Sequence, residues 1–546
     1  MAKVHGHTLV VKALQAEGVD TAFYIMGGPN YGLAMDMAKA GFKLIDVRHE
    51  QAAAMAAHGY SRASGKPGVC FGASGPGALN LLTGIATANV DCMPVIALGG
   101  SSGWSQYLQE TFQEIDQVSI YKPVTKWSER CTVVKRVPEL VSMAFRHALT
   151  GRPGPVFLDL PGDTLQEEVE ESEVPWPANY RTTARPLAEP ALIAKAIQLL
   201  AKAEKPVVIT GSGILWSGAE KELNEFVDLT GIPFYTTPQG RGVVPEDHPL
   251  CMPYARSGAF READVALVIG TRTGLIIQNL RAPRFRPDLK VIMINIDPTA
   301  IGHNRGVDVG IPADAKMVLQ QLIAEGKSKL KDKSRLSNWV AQLSKTNAAR
   351  REQQSALENS DKVPMHPLRL MKEIRDFIPR DAVLAVDGHE TLNFGRQALP
   401  TYYPRHRLNS TPLGCMGVGL PFAMGAKVAH PDKMVVCVHG DGSFGFNGME
   451  IDTCVRHKIN VLTVINNNSG WTAKIKDFEN PGRDLSPSRY DKMAEAFGAH
   501  GEYVTEPKQI RPALERAAAS GKPAVVNVIS DPYARSETTR FAVYEM

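Results

Sequence analysis

Short, largely apolar runs recur along the chain at intervals that leave room for a helix between them. FKLIDV (42–47), GPVFLDL (154–160), PVVIT (206–210), PFYTT (233–237), VALVIG (265–270), KVIMINID (290–297), MVVCVH (434–439) and INVLTVI (459–465) are the strongest of these runs. Continuous apolar runs, as opposed to alternating ones, mark strands covered on both faces, which is the situation of a parallel sheet between helices. Strands alternating with helical stretches predict parallel sheets throughout and an α/β fold. MAKVHGHTLVVKALQAEGVD (1–20) reads as an amphipathic helix, and residues 447–457 as another.

Two polar stretches interrupt the pattern. LQEEVEESEVPWPANYRTTARP (165–186) joins an acidic run to several prolines, and residues 325–362 are charged and helix-prone without an apolar stripe. A chain of 546 residues is too long for one core. The expected organisation is three consecutive domains at 1–165, 188–325 and 363–546, separated by linkers at 166–187 and 326–362. Each domain is expected to be a mostly parallel sheet flanked by helices.

Candidate chemistry is densest between Gly440 and Asn468, in GDGSFGFNGMEIDTCVRHKINVLTVINNN. As a βαβ unit, this segment brings Asp441 and Asn468 to the same carboxyl edge of a sheet, where open α/β folds bind ligands. A carboxylate beside an amide oxygen suits Mg²⁺, which takes few protein oxygens and fills the rest of its octahedron with phosphate and water. Gly440 and Gly442 allow a tight turn and close approach of an anion, while Ser443 and a helix N-terminus offer donors to phosphate. GDG alone reads as an ordinary strand-to-helix turn; the asparagine cluster at this interval shifts the reading to a magnesium-diphosphate site.

With that spacing the chain resembles the thiamine diphosphate-dependent enzymes. DVRHEQAAAMAAHGYSRASGKPGVC places Glu50 where that family has the glutamate that meets the cofactor's aminopyrimidine ring, and GASGPGALNLLTGIATA (72–88) follows as it does there. PLGCMGVGLPFAMGAKVA resembles the stretch that supplies a carbonyl to the cofactor's amine and a bulky wedge beneath it, roles that fall to Gly414 and Met416. The resemblance further implies cofactor contacts at Gly27, Pro76, Asn80, Gly388, His389, Gly440, Gly442, Ser443 and Trp471, and a metal held by Asp441, Asn468 and the carbonyl of Gly470. It implies first and last domains of similar fold that complete the site across a subunit boundary, hence a homodimer or homotetramer.

GFNGMEIDT, ARSGAFREADVALVIGTR and YYPRHRLNSTPLGCMGVG resemble the branch containing 2-hydroxyacyl-CoA lyase and oxalyl-CoA decarboxylase, with acetohydroxyacid synthase and benzaldehyde lyase as near relatives. No HH dipeptide of the simple 2-oxoacid decarboxylases occurs, and ETFQEIDQVSIYKPVTKW places Gln113 where carboligases and lyases carry glutamine. This implies a carbon-carbon lyase or carboligase, with pyruvate carboligation or 2-oxoacid decarboxylation as alternatives and a catalytically inactive nucleotide-binding homologue as the non-enzyme reading. In the CoA-using branch the middle domain binds CoA or ADP, and Arg256, Arg272 and Asp297 are the candidates for that contact. The glycine patterns of FAD-dependent synthases are missing, so FAD is not expected. Trp471, Arg535, Ser536 and Tyr544 are candidate contacts of a closing C-terminal segment.

Composition trims the alternatives. A net charge of +4 spread over the whole chain forms no basic arm, which argues against nucleic acid as a partner. No apolar run reaches membrane-spanning length, and the N-terminus has no signal-peptide core, so a cytoplasmic enzyme acting on a small molecule is expected. Seven cysteines without a CxxC pair read as reduced thiols.

Overall fold

The structure is a computed structural model and describes residues 3–410 and 412–536. Three parallel sheets carry it. The first orders its strands Lys43–Asp46, Thr21–Tyr24, Gly68–Gly72, Val95–Ser101, Val156–Pro161 and Ser128–Arg130. The last orders them Arg407–Leu408, Val383–Val386, Val435–Gly440, Leu462–Asn467, Ala524–Ile529 and His500–Val504. Numbered within each domain, both follow 2-1-3-4-6-5, so the two domains share one topology. The middle sheet has five strands, Phe234–Thr236, Pro206–Thr210, Val265–Ile269, Lys290–Asn295 and Val309–Pro312, in that spatial order. Its last strand escaped the sequence reading because VGIP is short and carries glycine and proline.

Two expectations need correction. Parallel pairing is not universal: Lys3–His5 forms a strand ahead of the helix Gly6–Ala16 and pairs antiparallel with Glu168–Glu170. Lys3 lies opposite Glu170 and His5 opposite Glu168 across the ribbon, where the His5 ring comes within 3.5 Å of the Glu168 carboxylate. The acidic stretch expected as linker is therefore partly strand. The second stretch is likewise ordered, as the end of helix Ala315–Lys329 and the helix Ser337–Glu358. The latter buries only Trp339, Leu343 and Glu358, and the Trp339 indole donates to the Pro206 carbonyl at 3.2 Å. So few inward positions leave no apolar periodicity to read.

The first and last domains meet through equivalent helices, Glu50–Ser64 and Gly419–Ala429. Glycine permits the approach. A Cβ at Gly59 would lie 2.5 Å from the Phe422 carbonyl oxygen, and one at Gly425 would lie 2.0 Å from that of Ala56. One apolar core runs through this contact, from Ala53 and Met55 to Leu420, Phe422 and Cys437. All seven cysteines are free thiols. Among the described residues no helix is long and apolar enough to cross a membrane.

Candidate active site

In the last domain the strand Val435–Gly440 turns directly into the helix Asp441–Asn447, and a second short helix, Glu450–Arg456, follows in place of the single one expected at 447–457. Asp441 thus occupies a helix start and is 1% exposed. One carboxylate oxygen accepts the Gly470 N–H at 2.8 Å, whereas its other oxygen, Oδ1, is buried and has no partner. Burial pushes this carboxyl up to about 6, against the pull of the Gly470 and Asn468 N–H groups. A buried carboxylate oxygen with no donor is what a cation would satisfy.

The strand Leu462–Asn467 delivers Asn468 to the same edge, as the βαβ argument requires. Its Nδ2 donates to the Thr472 carbonyl at 3.3 Å, which leaves the amide oxygen as an acceptor. Among the described residues no group of three or more His, Cys, Asp or Glu side chains has metal-holding spacing. A cation here would therefore be held by one carboxylate together with amide and carbonyl oxygens. That donor set is hard, oxygen-only and incomplete, and it fits Mg²⁺ shared with a diphosphate.

The diphosphate cradle takes shape around it. Gly388, at φ 97°, sits so close that a Cβ would lie 3.2 Å from the Gly440 nitrogen. A Cβ at Gly442 would meet the Trp471 ring at 2.7 Å, so glycine lets that indole lie against the turn. The Ser443 hydroxyl departs from expectation: it donates to the Gly440 carbonyl at 3.1 Å and lies 3.1 Å from His439 Nδ1. The backbone N–H groups of the helix start, and not this hydroxyl, are the donors available to an anion.

The first domain gathers its own set. Glu50 is the first residue of its helix, nearly buried, and accepts a hydrogen bond from Asn80 Nδ2 at 3.0 Å. Pro76 starts the helix that carries Asn80. Gln113, at φ 62°, accepts from the Ser74 hydroxyl at 2.6 Å, and a Cβ at Gly75 would come within 2.8 Å of its carbonyl oxygen. Gly27 abuts the same turn, since a Cβ there would meet that of Ala73 at 2.8 Å. Glu50, Asn80, Pro76 and Gln113 therefore share one corner.

Within the chain this corner is tied to the last domain by a residue the sequence reading missed. Glu450 is 1% exposed and accepts from the backbone N–H groups of Arg48 and His49 at 3.1 and 3.2 Å, the two residues ahead of Glu50. Burial pushes its carboxyl up to about 7. MEIDT has no signature of such a clamp, because the contact joins residues some four hundred positions apart.

A cleft of about 1330 Å³ links the middle-domain sheet to the last domain. At one end lie Gly213, Arg272 and Asn295, at the carboxyl edge of the middle sheet, and at the other Gly388, His389, Gly414 and Met416. Arg272 lines it and donates to the Val90 carbonyl of the first domain. Two expectations fail here. Arg256 is not part of the lining; its guanidinium lies 4.9 Å over the Phe260 ring and donates to the Ile276 carbonyl at 3.1 Å. The Asp297 carboxylate is turned to local work, capping Thr299 at 3.0 Å and pairing with Arg152 at 3.3 Å. Arg152, Arg181, Arg185 and Arg396 line the cleft instead. The pair in RTTARP was visible in sequence only as linker.

The C-terminal segment reaches the last domain near the cleft, where the Ser536 N–H donates to Glu390 at 2.9 Å. Tyr544 lies outside the described residues.

Comparison with known proteins decides the family. Residues 4–120 match the thiamine pyrophosphate enzyme N-terminal TPP binding domain, 193–322 the central domain and 391–528 the C-terminal TPP binding domain. This chain is a thiamine pyrophosphate enzyme. A 2-hydroxyacyl-CoA lyase of Oryza sativa subsp. japonica is 36% identical to the enzyme, over 98% of this chain and 97% of the relative. A 2-hydroxyacyl-CoA lyase of Arabidopsis thaliana is 35% identical over 98% and 97%. An acetolactate synthase large subunit of Mycobacterium tuberculosis is 34% identical over 97% and 96%. The two TPP binding domains of the enzyme are the two that share a sheet topology and carry the Glu50 and Asp441 corners, so thiamine diphosphate is the cofactor the fold accommodates.

Proposed function

We propose that the protein cleaves and forms carbon-carbon bonds as a 2-hydroxyacyl-CoA lyase does, converting a 2-hydroxyacyl-CoA to an aldehyde or ketone and formyl-CoA, and catalysing the reverse condensation. The cleft carries this reading. It runs from an arginine-bearing middle-domain edge to Gly414 and Met416, a span suited to a long, multiply phosphorylated thioester and larger than a small ketoacid requires. Arg152, Arg181, Arg185 and Arg272 line it and are the candidates for phosphate, because a planar guanidinium meets phosphate with a matched fork of donors; to do so they would exchange their present partners Asp297, Glu17, Asp314 and the Val90 carbonyl.

Bound thiamine diphosphate would supply a nucleophilic carbon and an electron sink for the broken bond. The chain supplies the rest. Asp441, Asn468 and the Gly470 carbonyl would hold Mg²⁺, and the helix start at Asp441 would offer N–H groups to the diphosphate. Glu50 would hold a proton at the pyrimidine ring nitrogen, with Asn80 fixing its other oxygen. The Gly414 carbonyl would accept from the exocyclic amine, Met416 would pack beneath the cofactor, and Gln113 would orient the substrate hydroxyl.

The Glu50 and Asp441 corners belong to different domains and, among the described residues, no hydrogen bond joins them. A symmetric dimer would pair Glu50 of one copy with Asp441 of the other and give two equivalent sites. The testing experiment offers purified protein, thiamine diphosphate and Mg²⁺ a panel of 2-hydroxyacyl-CoAs, oxalyl-CoA and pyruvate. Formyl-CoA with an aldehyde or ketone is the expected product pair. Acetolactate from pyruvate, with 2-hydroxyacyl-CoAs untouched, would assign the protein to the acetolactate synthase reaction.

A further inference from the structure

The loop that bears Asn468 and Gly470 has no helix or strand of its own, yet its two oxygens must be held closely in place if they are to serve one ion. One buried side chain gathers most of its carbonyls. Arg483 is 4% exposed, and its guanidinium donates to the carbonyls of Thr472 at 2.6 Å, Ser469 at 3.1 Å, Asn468 at 3.2 Å and Pro532 at 3.4 Å. Its one carboxylate partner, Asp484 at 2.8 Å, is largely exposed and shared with Lys474. The backbone adds to the clamp: Trp471 N–H donates to the Arg483 carbonyl at 3.0 Å, and Leu485 N–H to that of Ser469 at 2.9 Å.

Gly470 is the point of contact on the loop. A Cβ there would lie 2.5 Å from the Arg483 guanidinium carbon, so only glycine lets the cation lie flat against the chain. The same glycine donates its N–H to Asp441. An unbroken path therefore runs from Asp441 through Gly470 and Arg483 to Pro532, at the root of the C-terminal segment, where Lys474 N–H also donates to the Pro532 carbonyl at 2.6 Å.

We propose that Arg483 is the positioning residue of the metal loop: its guanidinium fixes the shape of residues 468–472 for cation binding and ties that shape to the start of the C-terminal segment. Charge supports the assignment. A diphosphate together with the Asp441 carboxylate more than neutralises a divalent cation, and a guanidinium within electrostatic reach of Asp441 offsets the excess. The inference rests on the cofactor reading above.

The test is calorimetric titration of thiamine diphosphate and Mg²⁺ into the wild type, Arg483→Lys and Arg483→Met, with Trp471 fluorescence as a second readout on the same loop. Arg483→Met is expected to raise the half-saturating Mg²⁺ concentration by about 10- to 100-fold, as loss of an outer-shell partner does at metal sites. Excess Mg²⁺ should then restore cofactor binding and the wild-type Trp471 signal, a rescue that a general folding defect would not show. Arg483→Lys keeps the charge but cannot span four carbonyls, and should fall between the two. Wild-type Mg²⁺ dependence in Arg483→Lys overturns the proposal even if Arg483→Met fails to fold, and so does wild-type dependence in a folded Arg483→Met. Failure of the wild type itself to bind thiamine diphosphate with Mg²⁺ would instead overturn the cofactor reading.

Discussion

The first and last domains share a strand order but put different chemistry at the same point of it. After the third strand the last domain turns at Gly440 straight into a helix whose first residue is Asp441, whereas the first domain turns through Ala73, Ser74 and Gly75 into a helix that starts at Pro76. The last domain thereby buries a carboxylate at its sheet edge with one oxygen unsatisfied. The first leaves that edge to hydroxyl and amide groups and carries its acid one helix earlier, at Glu50. On the function proposed above, one topology would yield a cation holder and a proton holder, and the difference lies in which helix start bears the carboxyl.

Removing Asp441, the proposed cation holder, should have the largest effect. Asp441→Ala deletes the orphaned oxygen, and thiamine diphosphate retention measured with Mg²⁺ should weaken by more than about a hundredfold, beyond what loss of an outer-shell partner costs. Unaltered retention would dissolve the contrast between the two domains. Glu50→Gln should act differently, leaving cofactor binding close to wild type while turnover falls by about a hundredfold or more, the usual loss with a positioned acid-base group. Equal losses of binding in both variants would mean that the two acids share one role.

The comparison also rests on the contact between equivalent helices. Gly59→Ala and Gly425→Ala each insert a methyl where backbone already stands, at 2.5 and 2.0 Å. Overpacking of this kind typically destabilises by about 1–3 kcal/mol, and these clashes with rigid backbone fall at the upper end or above it. Thermal unfolding should show the larger drop for Gly425→Ala. An unshifted midpoint would mean that the two domains are not seated on each other as described.

Much of this was legible from residue order. The strongest apolar runs located eight of the seventeen strands in the three parallel sheets, because parallel strands are covered on both faces and show it locally. Asp441 and Asn468 were legible because a βαβ unit forces them to one edge. What escaped depends on contacts between distant segments. Glu450 looks like any helix acid until Arg48 and His49 are seen above it, and Arg483 like any loop cation until four carbonyls surround it. Arg256 was misjudged for the same reason: sequence shows a basic residue in the middle domain but not that Phe260 and a local carbonyl occupy it.

Glu450 supplies the smallest predicted effect and the finest probe of how the two domains meet. Its carboxyl is buried among the Arg48 and His49 N–H groups and the Thr453 hydroxyl, with the Arg456 cation acting on it and the Arg48 guanidinium paired to Asp452, and burial raises it from an ordinary glutamate to about 7. A folded-state value above the unfolded one means that the native protein binds the extra proton. The stabilisation is therefore fully present below the unfolded value and is lost as pH rises through about 7. Unfolding free energy should fall between pH 5 and pH 8 by an amount of order 1–3 kcal/mol attributable to this residue. Glu450→Gln, which keeps the acceptor oxygen without the titration, should flatten that part of the profile. If instead the slope survives in Glu450→Gln, the proton resides elsewhere and the tie between Glu450 and the Glu50 turn is a plain ionised hydrogen bond.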